Sequence, residues 1–466
     1  MSRSERRELL LRCRDNLVDP EHFLSGWQLD STSNDKTIRR ENVKDWLLWG
    51  FFSAGQEALS EPDVAEEIEE YVDILEESLG RTIPPGRNEN IKSIRLTLDN
   101  VVIYHRPFIW YMIVMTVDIL VATRMRLSGF KHYSTSLSVF PPRPYTLFSR
   151  RSPTKLLSYW YRPPVELKTP VDQRPYPPLL FIHGIGIGLF PYAPLLCGSA
   201  KKHPNVPIIV PEILSISSRL TRPPLSHEEF RQAIVDIFNH HGIQEYSITA
   251  HSYGTALAAG IVKATSPSSS NTDPISPTPE LDHAPSLPAP GSLTLLDPIC
   301  LLLHLPSVAR NFLYRPPKQA NEHELYYFAC TDPGVAHTLS RHFFWTQNIL
   351  WKEDLAHIGR SSADADQSTP RVAVVLSGSD IIVDAPAVWT YLTGLPPPAN
   401  RCTKPWPFIP PAPHVESLVP RLCESSPNVL AVYLGGLDHA QMFLSSVSWR
   451  GVLDVMERVS GIQSER

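Results

Sequence analysis

From about residue 155 onward, short apolar runs alternate with amphipathic helical stretches, and this alternation restricts the fold more than any other feature of the chain. Residues 156–162 (LLSYWYR), 179–182 (LLFI), 206–210, 246–250, 292–296, 371–376 (RVAVVL) and 429–434 (VLAVYL) read as strands. Between them lie helical spacings, including residues 226–241 (SHEEFRQAIVDIFNHH), where Ser226 and Glu229 form a capping-box pattern. Continuous apolar strands separated by helices predict an α/β fold with a doubly wound, mostly parallel sheet, because both sheet faces must then be covered.

The first 130 residues lack this alternation. Residues 61–79 and 42–52 carry apolar side chains at helical intervals, which predicts a helical N-terminal extension over 1–130. Residues 155–298 and 371–466 form the two parts of the core. Residues 299–370, with the aromatic clusters 326–328 and 343–345, read as a helical cap. Proline, at 46 of 466 residues, signals many loops, and the Pro/Ser-rich stretch 265–291 is expected to be a disordered surface insertion.

The sharpest chemical signal is ITAHSYGTA at 248–256, where a strand runs directly into an alanine-rich helix with Ser252 at the apex. Such a turn needs small residues two before and two after the apex, here Ala250 and Gly254. It leaves a hydroxyl at a helix N-terminus, where developing negative charge is favoured. A serine hydroxyl needs an imidazole to take its proton and a carboxylate to orient that imidazole. His439, in GGLDHAQMF after strand 429–434, is the candidate base, with Asp438 read as a turn residue. Asp380, in LSGSDIIVD, is the leading candidate acid; Asp297 at the end of LTLLDP is its rival, and Asp384 a third. The glycine-rich FIHGIGIG at 181–188 can present backbone N–H groups to an oxyanion, the expected donors being Gly184, Ile185 and Tyr253. That run lacks the Lys-Ser/Thr of a phosphate-binding loop and the spacing of a dinucleotide fingerprint.

These segments together resemble the α/β-hydrolase superfamily: the HG turn, the nucleophile elbow, the SGSD acid turn and the late histidine. The resemblance covers roughly 155–460 and implies a cofactor-free serine esterase or lipase-like enzyme acting through an acyl-enzyme on Ser252. An acyltransferase on the same residues and a non-catalytic hydrolase-like binding protein are the alternatives. The aromatic helices suggest a hydrophobic ester or thioester as the small-molecule partner.

A net charge of −5 offers no electrostatic footprint for nucleic acid, and the six scattered cysteines have neither disulfide-framework nor metal spacing. With no signal-like apolar core at the start, an intracellular, cytoplasmic or membrane-associated protein is expected rather than a secreted one. Residues 107–123 (PFIWYMIVMTVDILVAT) raise a membrane question. They fall short of about 20 apolar residues and carry Asp118, so they read as a buried helix or as one contacting a bilayer.

Overall fold

The computed structural model describes all residues except 30–36, 136–137, 166–176, 267–286, 361–368, 399–420, 427 and 463–466. Most of the expected insertion at 265–291 therefore lies outside the described residues. Among the described residues the main sheet has ten strands: β1 Lys131–Ser134, β2 Arg150–Arg151, β3 Tyr159–Arg162, β4 Leu179–Ile182, β5 Ile208–Pro211, β6 Ser247–His251, β7 Ser292–Leu296, β8 Val372–Ser377, β9 Arg421–Ser426 and β10 Val429–Leu434. Their spatial order is β9-β10-β8-β7-β6-β4-β5-β3-β1-β2. The six strands from β5 to β10 in that row are mutually parallel, while β3, β1 and the edge strand β9 supply the antiparallel pairs.

Strands buried on both faces read as unbroken apolar runs, and every described residue of β4, β5, β6, β7, β8 and β10 is buried. Strand β4 lies between β5 and β6, so the chain order reverses there, and the crevice at the carboxyl ends of β4 and β6 is the position that open α/β sheets use for ligands.

Residues before the sheet form α1 Arg3–Asp15, α2 Pro20–Gly26, α3 Arg40–Leu47, α4 Pro62–Leu79 and α5 Phe108–Leu127, with a two-stranded ladder joining Gln28–Leu29 to Lys92–Ser93. Helices α6 Ala193–Lys202, α7 His227–His241, α8 Tyr253–Thr265, α9 Pro333–Arg341, α10 Ala385–Thr393 and α11 Ser446–Ser460 follow. The Ser226–Glu229 capping box at the start of α7 forms, and Gly242 closes that helix in the left-handed conformation.

The N-terminal helices pack against residues 299–358. Trp27 donates its indole N–H to His304 O at 3.1 Å, and Trp345 donates to Gly50 O at 2.9 Å. A Cβ on Gly26 would sit 2.3 Å from Pro306 Cγ, so the contact requires glycine. Edge-to-face rings at Phe23–Trp46 (5.3 Å) and Phe51–Trp345 (5.7 Å) fill the junction. Helix α5 docks through Tyr111, Val114, Val121 and Met125, and its buried Asp118 pairs with Arg219. The helix is long and apolar enough to cross a membrane by length and composition, yet one face belongs to the domain.

Candidate active site

Ser252 occupies the turn between β6 and α8 with φ 49° and ψ −121°, a region unfavourable to a side chain. Two glycines make the turn possible. A Cβ on Gly254 would lie 2.4 Å from Ile182 O and 2.7 Å from His183 O, and one on Gly184 would lie 2.8 Å from Ser252 Cβ. Asp297 (φ 41°) and Ala440 (φ 63°) are also left-handed and touch each other at this edge of the sheet. Positive-φ residues therefore gather around the serine, where the surrounding packing must hold them.

His439 Nε2 lies 2.9 Å from Ser252 Oγ, and its Nδ1 lies 2.7 Å from Asp380 Oδ2. The other oxygen of Asp380 accepts from the Ile382 and Val383 amides at 2.7 and 2.9 Å, which fixes the carboxyl plane. The structure thus brings Ser252, His439 and Asp380 into one hydrogen-bonded chain. Asp297 is completely buried behind it: it accepts from Ser377 N–H and O–H at 2.7 and 3.0 Å, and from the Ala440 amide at 3.0 Å. Its bonds pin the histidine loop to β8 and do not reach the imidazole. Asp384 caps α10 through the Ala387 amide. Asp438 accepts from the Ile381 and His439 amides and from Asn321, tying the acid loop to the histidine loop.

Burial works against a charge on His439, and the adjacent Asp380 carboxylate outweighs it, raising the imidazole from 6.5 to about 9. Burial also pushes Asp380 upward, with His439 opposing. Asp297, Asp380 and His439 present ligand atoms within 4.8 Å of one another, a spacing that would admit a cation. Those atoms are already engaged by protein groups, so a metal would have to displace the hydrogen bonds just described.

The glycine loop after β4 is organised by residues that the sequence did not single out. Tyr192 Oη accepts from the Gly184 amide at 3.0 Å and donates to His251 Nδ1 at 2.8 Å. Burial drops His251 to about 4, so it is neutral, and Nδ1 as acceptor leaves the proton on Nε2, 3.8 Å from Asp297 Oδ2. Of the three expected oxyanion donors, Gly184 therefore has its N–H occupied. His183, also lowered to about 4 by burial, accepts from the Ile213 amide and donates through Nδ1 to Gly184 O at 2.8 Å. A trans peptide points its C=O and N–H in opposite directions, so this bond turns the Ile185 N–H away from His183. The Ile185 amide has no hydrogen bond among the described residues. Tyr253 is the first residue of α8, and its N–H is one of the donors that a helix start leaves without an intrahelical partner.

An apolar cavity opens on Ser252. Its walls combine Trp27, Trp49 and Leu96 from the N-terminal helices with Phe312, Phe343 and Trp345 from the segment after β7. Of the two aromatic clusters, Phe343 and Trp345 line this cavity, whereas Tyr327 and Phe328 lie exposed on the outside.

The strand order, the reversal at β4, and the strand–serine–helix turn at the end of β6 define an α/β-hydrolase fold. No protein-family model matches the chain, and no curated protein matches it. Among solved structures it is similar to a putative lipase from Acinetobacter baumannii AYE, at 12% identity and TM-score 0.40, covering 78% of this chain and 100% of that one. A bacterial membrane phospholipase A described as a virulence factor aligns at 12% identity and TM-score 0.39, covering 75% and 94%. Naproxen esterase from Bacillus subtilis aligns at 11% identity and TM-score 0.36, covering 76% and 98%.

Proposed function

We propose that this protein is a serine hydrolase that cleaves a carboxylic ester or thioester with a hydrophobic acyl group. The observation that carries the reading is the chain Asp380–His439–Ser252, with contacts of 2.7 and 2.9 Å, at the floor of an apolar cavity. Neutral His439 accepts the Ser252 proton at Nε2 as Oγ attacks the acyl carbonyl. Its Nδ1–H remains bonded to Asp380, which stabilises the imidazolium as it forms. The Ile185 and Tyr253 amides receive the oxyanion, a contribution of about 10²–10³ in rate per donor. His439 then returns the proton to the departing alcohol or thiol, and a water activated by the same imidazole releases the acid from Ser252.

The cavity wall supports an apolar acyl chain, since aromatic and aliphatic side chains dominate it and few polar groups interrupt them. The test is a chain-length series of aryl esters turned over by wild type and Ser252→Ala. The proposal expects turnover to rise with chain length in the wild type and to vanish in the variant. Full activity in Ser252→Ala overturns it.

A further inference from the structure

Helix α5 is apolar on both sides, but among the described residues one side alone is buried against the domain. Tyr111, Val114, Asp118, Val121, Ala122 and Met125 are buried. The opposite stripe, Ile109, Ile113, Thr116, Leu120, Thr123 and Leu127, is exposed at four- and three-residue intervals along the helix. Its two threonines do not break the apolar character, because Thr116 donates to Met112 O and Thr123 to Ile119 O within the helix. Every polar group on the stripe is thus satisfied without water.

The surface continues past the helix. Leu127, Leu147 and Phe148 are 86, 84 and 81% exposed at one end and extend the apolar stripe of the helix. The guanidinium of Arg126 lies 5.9 Å from the Phe148 ring. Around that end stand Arg124, Lys131, Arg150 and Arg151, all exposed and none in an ion pair among the described residues. Residues 101–151 hold seven Lys and Arg against a single acid, Asp118, and that acid is buried against Arg219. Of those seven, Arg106 is buried and Arg143 pairs with buried Glu212, which leaves Arg124, Arg126, Lys131, Arg150 and Arg151 as the positive charge beside the exposed stripe of α5.

The geometry points to this face as a docking surface for an anionic phospholipid bilayer, with α5 lying flat in the interface. An apolar stripe about 30 Å long, rimmed by cations, matches the boundary between acyl chains and acidic headgroups. A spanning orientation is disfavoured, because it would strip the buried face from the domain and expose the Asp118–Arg219 pair to hydrocarbon. The buried face of α5 meets the loop that leads to the site. A Cβ on Gly188 would lie 3.6 Å from Asp118 Oδ1, and the same loop runs from Gly184, against Ser252, to the exposed Phe190. What docking achieves rests on the proposed hydrolysis: it brings the cavity beside acyl chains held in a bilayer, and makes a lipid ester the substrate class.

Co-sedimentation of the full chain with vesicles tests the surface independently of catalysis. Wild type is expected to pellet with equimolar phosphatidylcholine and phosphatidylserine, and far less with phosphatidylcholine alone. Ile113→Glu/Leu120→Glu should weaken binding at least about tenfold, and Arg150→Glu/Arg151→Glu about fivefold or more per cation on the anionic vesicles only. Turnover of a short soluble ester should be unchanged in both, which reports that they fold. Wild type that ignores anionic vesicles, or variants that bind like wild type, overturn the proposal. So does light scattering that shows a dimer which Ile113→Glu/Leu120→Glu splits, since the face would then belong to a second copy. Vesicle binding without any ester turnover would leave the docking surface standing and the hydrolase reading refuted.

Discussion

Asp380→Asn is the most informative single change at the site. The asparagine oxygen can still accept from the Ile382 and Val383 amides, so the loop geometry survives. Its amide then faces His439 Nδ1, which lies 2.7 Å from the acid in the wild type. An amide N–H can only donate there, and it selects the tautomer with the proton on Nε2, the nitrogen that must accept from Ser252. The charge effect adds to this. Holding the imidazole at about 9 rather than 6.5 is worth about 3 kcal/mol to the imidazolium that forms during acyl transfer, or about 10²-fold in rate. Tautomer and charge together predict a fall in kcat of about 10⁴ with little change in KM. The assay is kcat/KM for a soluble aryl ester from pH 5 to 10. Wild type needs neutral His439, so its rate should climb as pH rises through neutrality, losing about tenfold per unit below the raised pKa. In Asp380→Asn the residual rate should level off at lower pH, because burial alone lowers the imidazole once the carboxylate is gone. An Asp380→Asn protein within tenfold of wild type, with an unshifted profile, would refute the reasoning.

Other perturbations separate structural from chemical roles. Asp297→Asn places an amide against donors from Ser377 and Ala440, so it should destabilise by about 1–3 kcal/mol, read as a lower Tm, and should move the pH profile downward less than Asp380→Asn does, because its charge supports His439 without a direct bond. Gly184→Ala puts a methyl 2.8 Å from Ser252 Cβ and should remove most activity in a folded protein, as checked by circular dichroism beside the ester assay. Val308→Trp fills part of the cavity and should lower kcat/KM for long acyl chains about 10- to 200-fold while sparing short ones. Tyr192→Phe frees the Gly184 amide and His251 Nδ1 together, so kcat should fall with KM nearly constant.

The central sheet was legible because its parallel strands, buried on both faces, must be continuous apolar runs. Val429–Leu434 matches its reading at both ends, and β6 and β8 are displaced by one residue. Strands β1 (KHYS) and β2 (RR) escaped notice because four and two residues are too few to show an alternation, and β2 lies at the sheet edge, where no buried pattern is required. At the site, Ser252 and His439 were legible through their position after strands. Asp380 led Asp297 through its glycine turn alone, since both end neighbouring parallel strands at the same edge. Only the spatial arrangement distinguishes them: the bonds from Ser377 and Ala440 consume Asp297, while Asp380 meets the imidazole. Tyr192 carried no sequence signal, because its role depends on a hydroxyl reaching a loop eight residues away in the chain. Helix α5 read as either buried or membrane-facing, and the structure shows why: its composition is apolar all round, while only one stripe is covered.

The account turns on whether Ser252 becomes acylated. Rapid mixing with a p-nitrophenyl ester, acid quench and peptide mass spectrometry measures this directly. The expected result is a transient acyl adduct on the peptide containing Ser252, formed in a burst, absent in Ser252→Ala and formed far more slowly in His439→Ala, because the same imidazole serves acylation. Product release with no adduct at Ser252, or an adduct on another residue, would contradict the central claim.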